Sequence, residues 1–182
     1  MNLKNLVQRF HYLLGATMHK NALPDPRPGN YHGVLTVVKP NNNAFYLYCG
    51  SFRDHLPRMY GIKLAPELPH AANYYLPIVD FSIPDPKEVL LLIDWIKNKT
   101  DEVCELYLGC NGGYGRTGLI AACILVAFEG MDAHEAIKAV REAVHPHCIE
   151  TDQQVYFVIN FAELLEETTL ENAIEMARLN RL

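Results

Sequence analysis

Seven consecutive residues, Cys110-Asn111-Gly112-Gly113-Tyr114-Gly115-Arg116, bring a thiol, three glycines and a guanidinium into one short segment, and Thr117 and Gly118 follow directly. Glycines at 112, 113 and 115 let the backbone turn sharply enough for successive N–H groups to point at one centre. The apolar run from Thr117 to Glu129 predicts a helix whose first amides and positive dipole end face that same centre. Such a concavity binds an oxyanion and favours a thiolate at its base, where Cys110 lies. Arg116 offers a planar fork for two equatorial oxygens of a phosphoryl group. That grip tightens as charge spreads over the oxygens in the transition state. The Thr117 hydroxyl is placed to donate to the Cys110 sulfur, supporting the thiolate as attacker and then as leaving group. The chemistry this predicts is attack by cysteine on phosphorus, with residues Asn111, Gly112, Gly113, Tyr114, Gly115 and Arg116 holding the oxygens.

Other uses of such a loop fit less well. The nucleotide-binding pattern G-x-x-x-x-G-K-[ST] is excluded because arginine stands where lysine is required. A redox role wants a second cysteine close by, and the nearest in sequence are Cys104 and Cys123. Departure of an alkoxide or phenoxide needs a proton donor at the mouth. Residues 77–85 provide two, Asp80 and Asp85. Asp80 ends a strand-like run, where an active-site loop of an α/β sheet begins. Asp85 has a competing position as N-cap of the next helix.

At these residues the sequence resembles the Cys-x5-Arg-(Ser/Thr) signature loop of protein tyrosine and dual-specificity phosphatases, and its interior is closest to the kinase-associated phosphatase type. The resemblance covers roughly Phe45 to Phe161. It implies a central, mostly parallel sheet flanked by helices, no metal or organic cofactor, and a phosphorylated protein as substrate. Pro77-Ile-Val-Asp80 through Pro84-Asp85 resembles that type's acid loop, in which the first aspartate is the acid, so Asp80 is the expected donor. Ile149-Glu150-Thr151 through Gln154 resembles the segment that positions the hydrolytic water, with Gln154 matching its second glutamine and Glu150 replacing its first. Gly109 stands where the family carries the histidine that supports the loop, and His145-Pro146 where it carries Arg-Pro.

The elements that must position these groups are legible as patterns. Val34–Val38 and Ala44–Cys49 predict two strands joined by a polar turn. A short helix is expected over 52–60, a brief strand over 62–64 and another over 74–79. Pro86–Asn98 predicts a helix capped by Asp85, with Val89, Leu90, Leu92, Ile93 and Ile96 inward. Val103–Leu108 predicts a buried strand entering the glycine loop. Helices follow from Asp132 to about Val144, from Asp152 to about Glu167 and from Leu170 to Arg181. An N-terminal helix over 3–14 and a Pro-rich arm over 23–30 precede them, and the expectation is one α/β domain spanning 1–182, closed by a C-terminal helix within 168–182.

Nearly half of the 182 residues are apolar, enough for a substantial core, and the net charge of −5 argues against general affinity for nucleic acid or anionic membranes. No signal peptide and no membrane-inserting segment are expected, the longest apolar stretch being Leu119–Phe128. Five scattered cysteines without a CxxC pair predict free thiols and a reducing, cytoplasmic setting. Cys49, Cys104 and Cys123 are expected in the core, with Cys148 near the water-positioning segment. Tyr74, Tyr75 and Phe81 are candidates for an aromatic rim, and Arg53 and Arg58 for a solvated face. His145 and His147 lack an evident third ligand, so no metal site is expected. The main alternatives are the same chemistry on a phosphoinositide or an RNA 5′-phosphate, and a phosphate-binding module without turnover.

Overall fold

The computed structural model describes residues 30–180. The expected N-terminal helix and all but the last residue of the Pro-rich arm lie outside them. Strands β1 (Gly33–Val38), β2 (Ala44–Ser51), β3 (Tyr60–Lys63), β4 (Tyr74–Tyr75) and β5 (Glu105–Cys110) form one sheet in the order β1-β2-β5-β3-β4. Only the β1–β2 pair is antiparallel, as its short connection requires; the other pairings are parallel. Edge strand β1 alternates buried and exposed side chains, whereas central β5 is buried continuously from Leu106 to Cys110.

Five α-helices accompany the sheet: α1 (Pro86–Lys99), α2 (Gly115–Glu129), α3 (Ala133–Ala143), α4 (Asp152–Glu167) and α5 (Leu170–Arg178). Helix α2 packs on β1, β2 and β5 and also against α1, α3 and α4. Its near-total apolarity follows from that central place, since every face is covered and residues 115–128 are all buried. Caps fall where the sequence puts them. Asp85 accepts from Lys87 N, Asp132 from His134 N and Glu135 N, Thr151 from Gln154 N, and Thr169 from Asn172 N. Among the described residues no helix is long and apolar enough to cross a membrane.

Two expected elements are shorter than their patterns. The helix expected over 52–60 is a single 3-10 turn, Phe52–Asp54, after which His55 is extended. Pro57 accounts for this, because it disfavours α geometry at Leu56 and its ring would clash with the carbonyl one turn back. The strand expected over 74–79 pairs as a ladder only at Tyr74–Tyr75. Pro77 has no amide to contribute, yet the chain stays alongside β3 through bonds from Leu76 N to Lys63 O and from Ile78 N to Leu64 O. That pairing delivers Asp80 to the carboxyl ends of the strands, where Cys110 ends β5.

Candidate active site

Register places Ser51 opposite Cys110 and Gly50 opposite Gly109, so β2 and β5 end together beneath the glycine loop. Gly113 lies at φ +82°, and a Cβ there would stand 2.4 Å from the Gly50 carbonyl carbon. Only glycine serves at that position. The turn points the Gly113 amide inward, where it donates to Cys110 Sγ at 3.2 Å. Helix α2 starts at Gly115, two residues earlier than the apolar run predicts, and no side chain caps its N-terminus. Its first amides are left for an anion at the loop's centre. The Thr117 hydroxyl accepts the Cys110 backbone N–H at 2.9 Å and so anchors the start of the loop.

Gly109 also has a geometric reason. A Cβ there would meet Phe52 N at 2.8 Å and Gly50 O at 2.9 Å, so the histidine usual in related loops has no room. Loop support comes from elsewhere. Ser51 Oγ donates to Asn111 O at 2.7 Å and Arg53 Nε to Asn111 Oδ1 at 3.0 Å. From the start of β1, His32 stacks on Tyr114 with centroids 4.5 Å apart, and His145 flanks the same ring at 4.6 Å. Burial lowers the His32 pKa, opposed by a hydrogen bond to the Gly113 backbone; His145 adds to the lowering and Asp54 opposes it. Tyr114 therefore both packs and lines the mouth.

Arg116 is 2 % exposed. Glu67 holds it bidentately at 2.6 and 3.0 Å, Ile78 O accepts from it at 3.0 Å, and Asp80 Oδ1 lies 2.9 Å from Nη2. Its buried Nε has no partner. Burial opposes the guanidinium's charge, but the Glu67 hydrogen bonds and the charges of Cys110 and Asp80 more than offset it, raising the pKa. The reciprocal bond to Arg116 holds the Glu67 carboxyl below its usual range. Glu67 escapes sequence reasoning because it lies in a loop without periodicity, 49 residues from its partner.

The cavity measures about 280 Å³ and is lined by Asp80, Phe81, Cys110, Arg116, Tyr114 and Glu150, with the loop residues 111, 112 and 115. Asp85 stays at the α1 cap. Glu150 lies over Gly115, close enough that a Cβ there would be 2.1 Å from its Oε2. Gln154 is fully buried and acts as a strap: its Oε1 accepts from Glu150 N at 2.8 Å, and its Nε2 donates to Ser82 O at 3.3 Å. Phe81 and Ile149, beside the two lining carboxylates, both adopt positive φ, 58° and 62°. For a β-branched residue that geometry is costly and is maintained by its surroundings. Arg141, also unforeseen, donates to Cys148 O and Ile149 O at 3.1 Å each.

Several expected neighbours lie elsewhere. Tyr74 packs on Trp95 and Tyr75 on the Lys63 ammonium, so of the three rim candidates only Phe81 lines the cavity. Cys104 is exposed, contrary to the core expectation, because it precedes the buried part of β5. Cys148 is buried against Gly118, and burial pushes its thiol up to about 11. Among the described residues no group of three His, Cys, Asp or Glu is arranged to hold a metal ion.

Known proteins resemble this chain in sequence and fold. Residues 61–158, just over half of the chain, match the family model described as the Swiss Army Knife protein DSP-PTPase phosphatase domain. An uncharacterised Methanocaldococcus jannaschii protein is 33 % identical over 90 residues, covering 50 % of this chain and 55 % of that one. The protein tyrosine phosphatase domain-containing protein 1 of Danio rerio is 30 % identical over 135 residues, 73 % of this chain and 18 % of the relative. The match thus spans about half the length of the first relative and a smaller part of the second. Among solved structures, Tk-PTP in its active form superposes with a TM-score of 0.53 at 27 % identity, covering 58 % of this chain and 78 % of that one. Kinase associated phosphatase shares the fold at 16 % identity, with a TM-score of 0.57 over 79 % of this chain and 99 % of its own. A sheet ending in a Cys-to-Arg loop, an uncapped helix behind it and a family match across both have one common reading: the chain belongs to the dual-specificity and tyrosine phosphatase family.

Proposed function

We propose that this protein is a cysteine-dependent phosphomonoester hydrolase acting on phosphotyrosine in proteins, extending to phosphoserine and phosphothreonine. The observation that carries the reading is the convergence in one cavity of Cys110 Sγ, the uncapped start of α2 and a buried Arg116 whose Nε still lacks a partner. The phosphoryl group seats on the loop amides and Arg116. Cys110 thiolate attacks phosphorus, forming the S–P bond as the P–O bond to the leaving group breaks, and Asp80 protonates the departing oxygen. Water then attacks the phosphocysteine, Asp80 takes its proton, and Cys110 leaves as thiolate with release of inorganic phosphate. Glu150 orients that water, and Gln154 acts through Glu150 by fixing its backbone. A reducing, cytoplasmic setting is the one such a thiol requires.

The test is hydrolysis of p-nitrophenyl phosphate without added metal. Cys110→Ser is expected to lower kcat by about 10³-fold or more. Equal rates for variant and wild type would sink the proposal.

A further inference from the structure

The cavity is sparsely cationic for a place that takes an anion. Among the described residues Arg116 is its sole cationic lining residue, and Glu67 and Asp80 already engage it. Glu150 adds a further carboxylate at the rim. It is exposed, and among the described residues no cation pairs with it. The other end of the loop carries the opposite charge, with Arg53 bonded to Asn111.

The placement of Glu150 is built rather than incidental. Ile149 takes a left-handed backbone that β-branched residues avoid. Arg141 secures the carbonyls of Cys148 and Ile149, and Gln154 takes the Glu150 amide. Together these contacts turn the carboxylate over Gly115 at the mouth. The floor amides and the start of α2 attract the phosphate itself. Beside the phosphate, the rim at Glu150 repels a second anion and attracts a cation.

We propose that Glu150 is a specificity-determining residue, and that the site prefers phosphopeptides carrying Lys or Arg beside the phosphorylated residue over those carrying Asp or Glu there. This inference rests on the phosphatase reading above. It concerns only which phosphorylated segments are chosen.

The experiment uses phosphotyrosine peptides of one length in which a single Lys or Glu is moved through the three positions on each side of the phosphotyrosine. Wild type, Glu150→Gln and Glu150→Lys are compared by kcat/KM, with p-nitrophenyl phosphate as a substrate without flanks. Because kcat/KM covers steps only through transfer to Cys110, a part played by Glu150 in orienting water falls in kcat and leaves the ratio untouched. In wild type the Lys peptide is expected to exceed its Glu counterpart about three- to tenfold at one or more positions, an effect that shrinks at high salt. The preference should fall below about twofold in Glu150→Gln and reverse in Glu150→Lys. A flat scan in a wild type that hydrolyses p-nitrophenyl phosphate overturns this inference alone, as does a preference that persists unchanged in Glu150→Gln. A wild type that hydrolyses neither peptide nor aryl phosphate overturns the phosphatase reading, and this inference with it.

Discussion

Arg116 reaches the cavity already oriented. Its two terminal nitrogens are held by carboxylates and by Ile78 O, and its buried Nε has no partner. Lysine would keep the charge and lose the fork, so Arg116→Lys is expected to lower kcat/KM for p-nitrophenyl phosphate by about 10²–10³-fold. Asp80, at the same mouth, has a different signature. Asp80→Ala should slow alkyl phosphates with poor leaving groups far more than p-nitrophenyl phosphate, whose leaving group departs without a proton. An equal loss on both would move the acid elsewhere. Glu67 supplies a pH dependence. Its folded pKa is depressed by Arg116, so its contribution to stability is present above the usual carboxylate range and is lost as pH falls through the folded value. Wild type should therefore be more thermally stable than Glu67→Gln at neutral pH, with the gap closing below pH about 4.

At the scale of elements, what could be read from sequence was whatever is locally encoded. The caps at Asp85, Asp132 and Thr151, the apolar stripe of α1 and the strand–loop–helix around Cys110 all depend on residues within a turn or two of one another. What escaped depends on partners distant in the chain. Glu67, His32 and Arg141 have no local pattern that marks them, and the shortening after Phe52 came from Pro57 overriding a helical pattern. Gly109 looked like the loss of a supporting histidine, whereas the close approach of Gly50 and Phe52 leaves no room for one. Gly109→Ala is accordingly expected to destabilise the protein by about 1–3 kcal/mol, because the nearest atoms are backbone. A lowered midpoint in urea with an unchanged m-value checks it.

At the scale of the whole molecule, the first and last of the described α-helices pack together away from the site. Helix α5 buries Ala173, Ile174 and Ala177 and packs on α1, where Arg178 forks onto Asp94. Ending the chain at Thr168 would uncover that face of α1 and is expected to cost about 3 kcal/mol, seen as a lower melting temperature. The site residues lie on other elements, so phosphate-ester hydrolysis at 25 °C should persist in the shortened chain. Apolar anchoring is likewise distributed unevenly. Val79, Phe81 and Ile83 are exposed, so the loop bearing Asp80 is anchored by few apolar contacts, and the amide of Gln154 ties its Ser82 carbonyl to the segment bearing Glu150. One side chain thus clamps both the segment bearing Asp80 and the segment bearing Glu150. Both segments therefore depend on one amide for their mutual placement, and a Gln154→Ala change would release the two together.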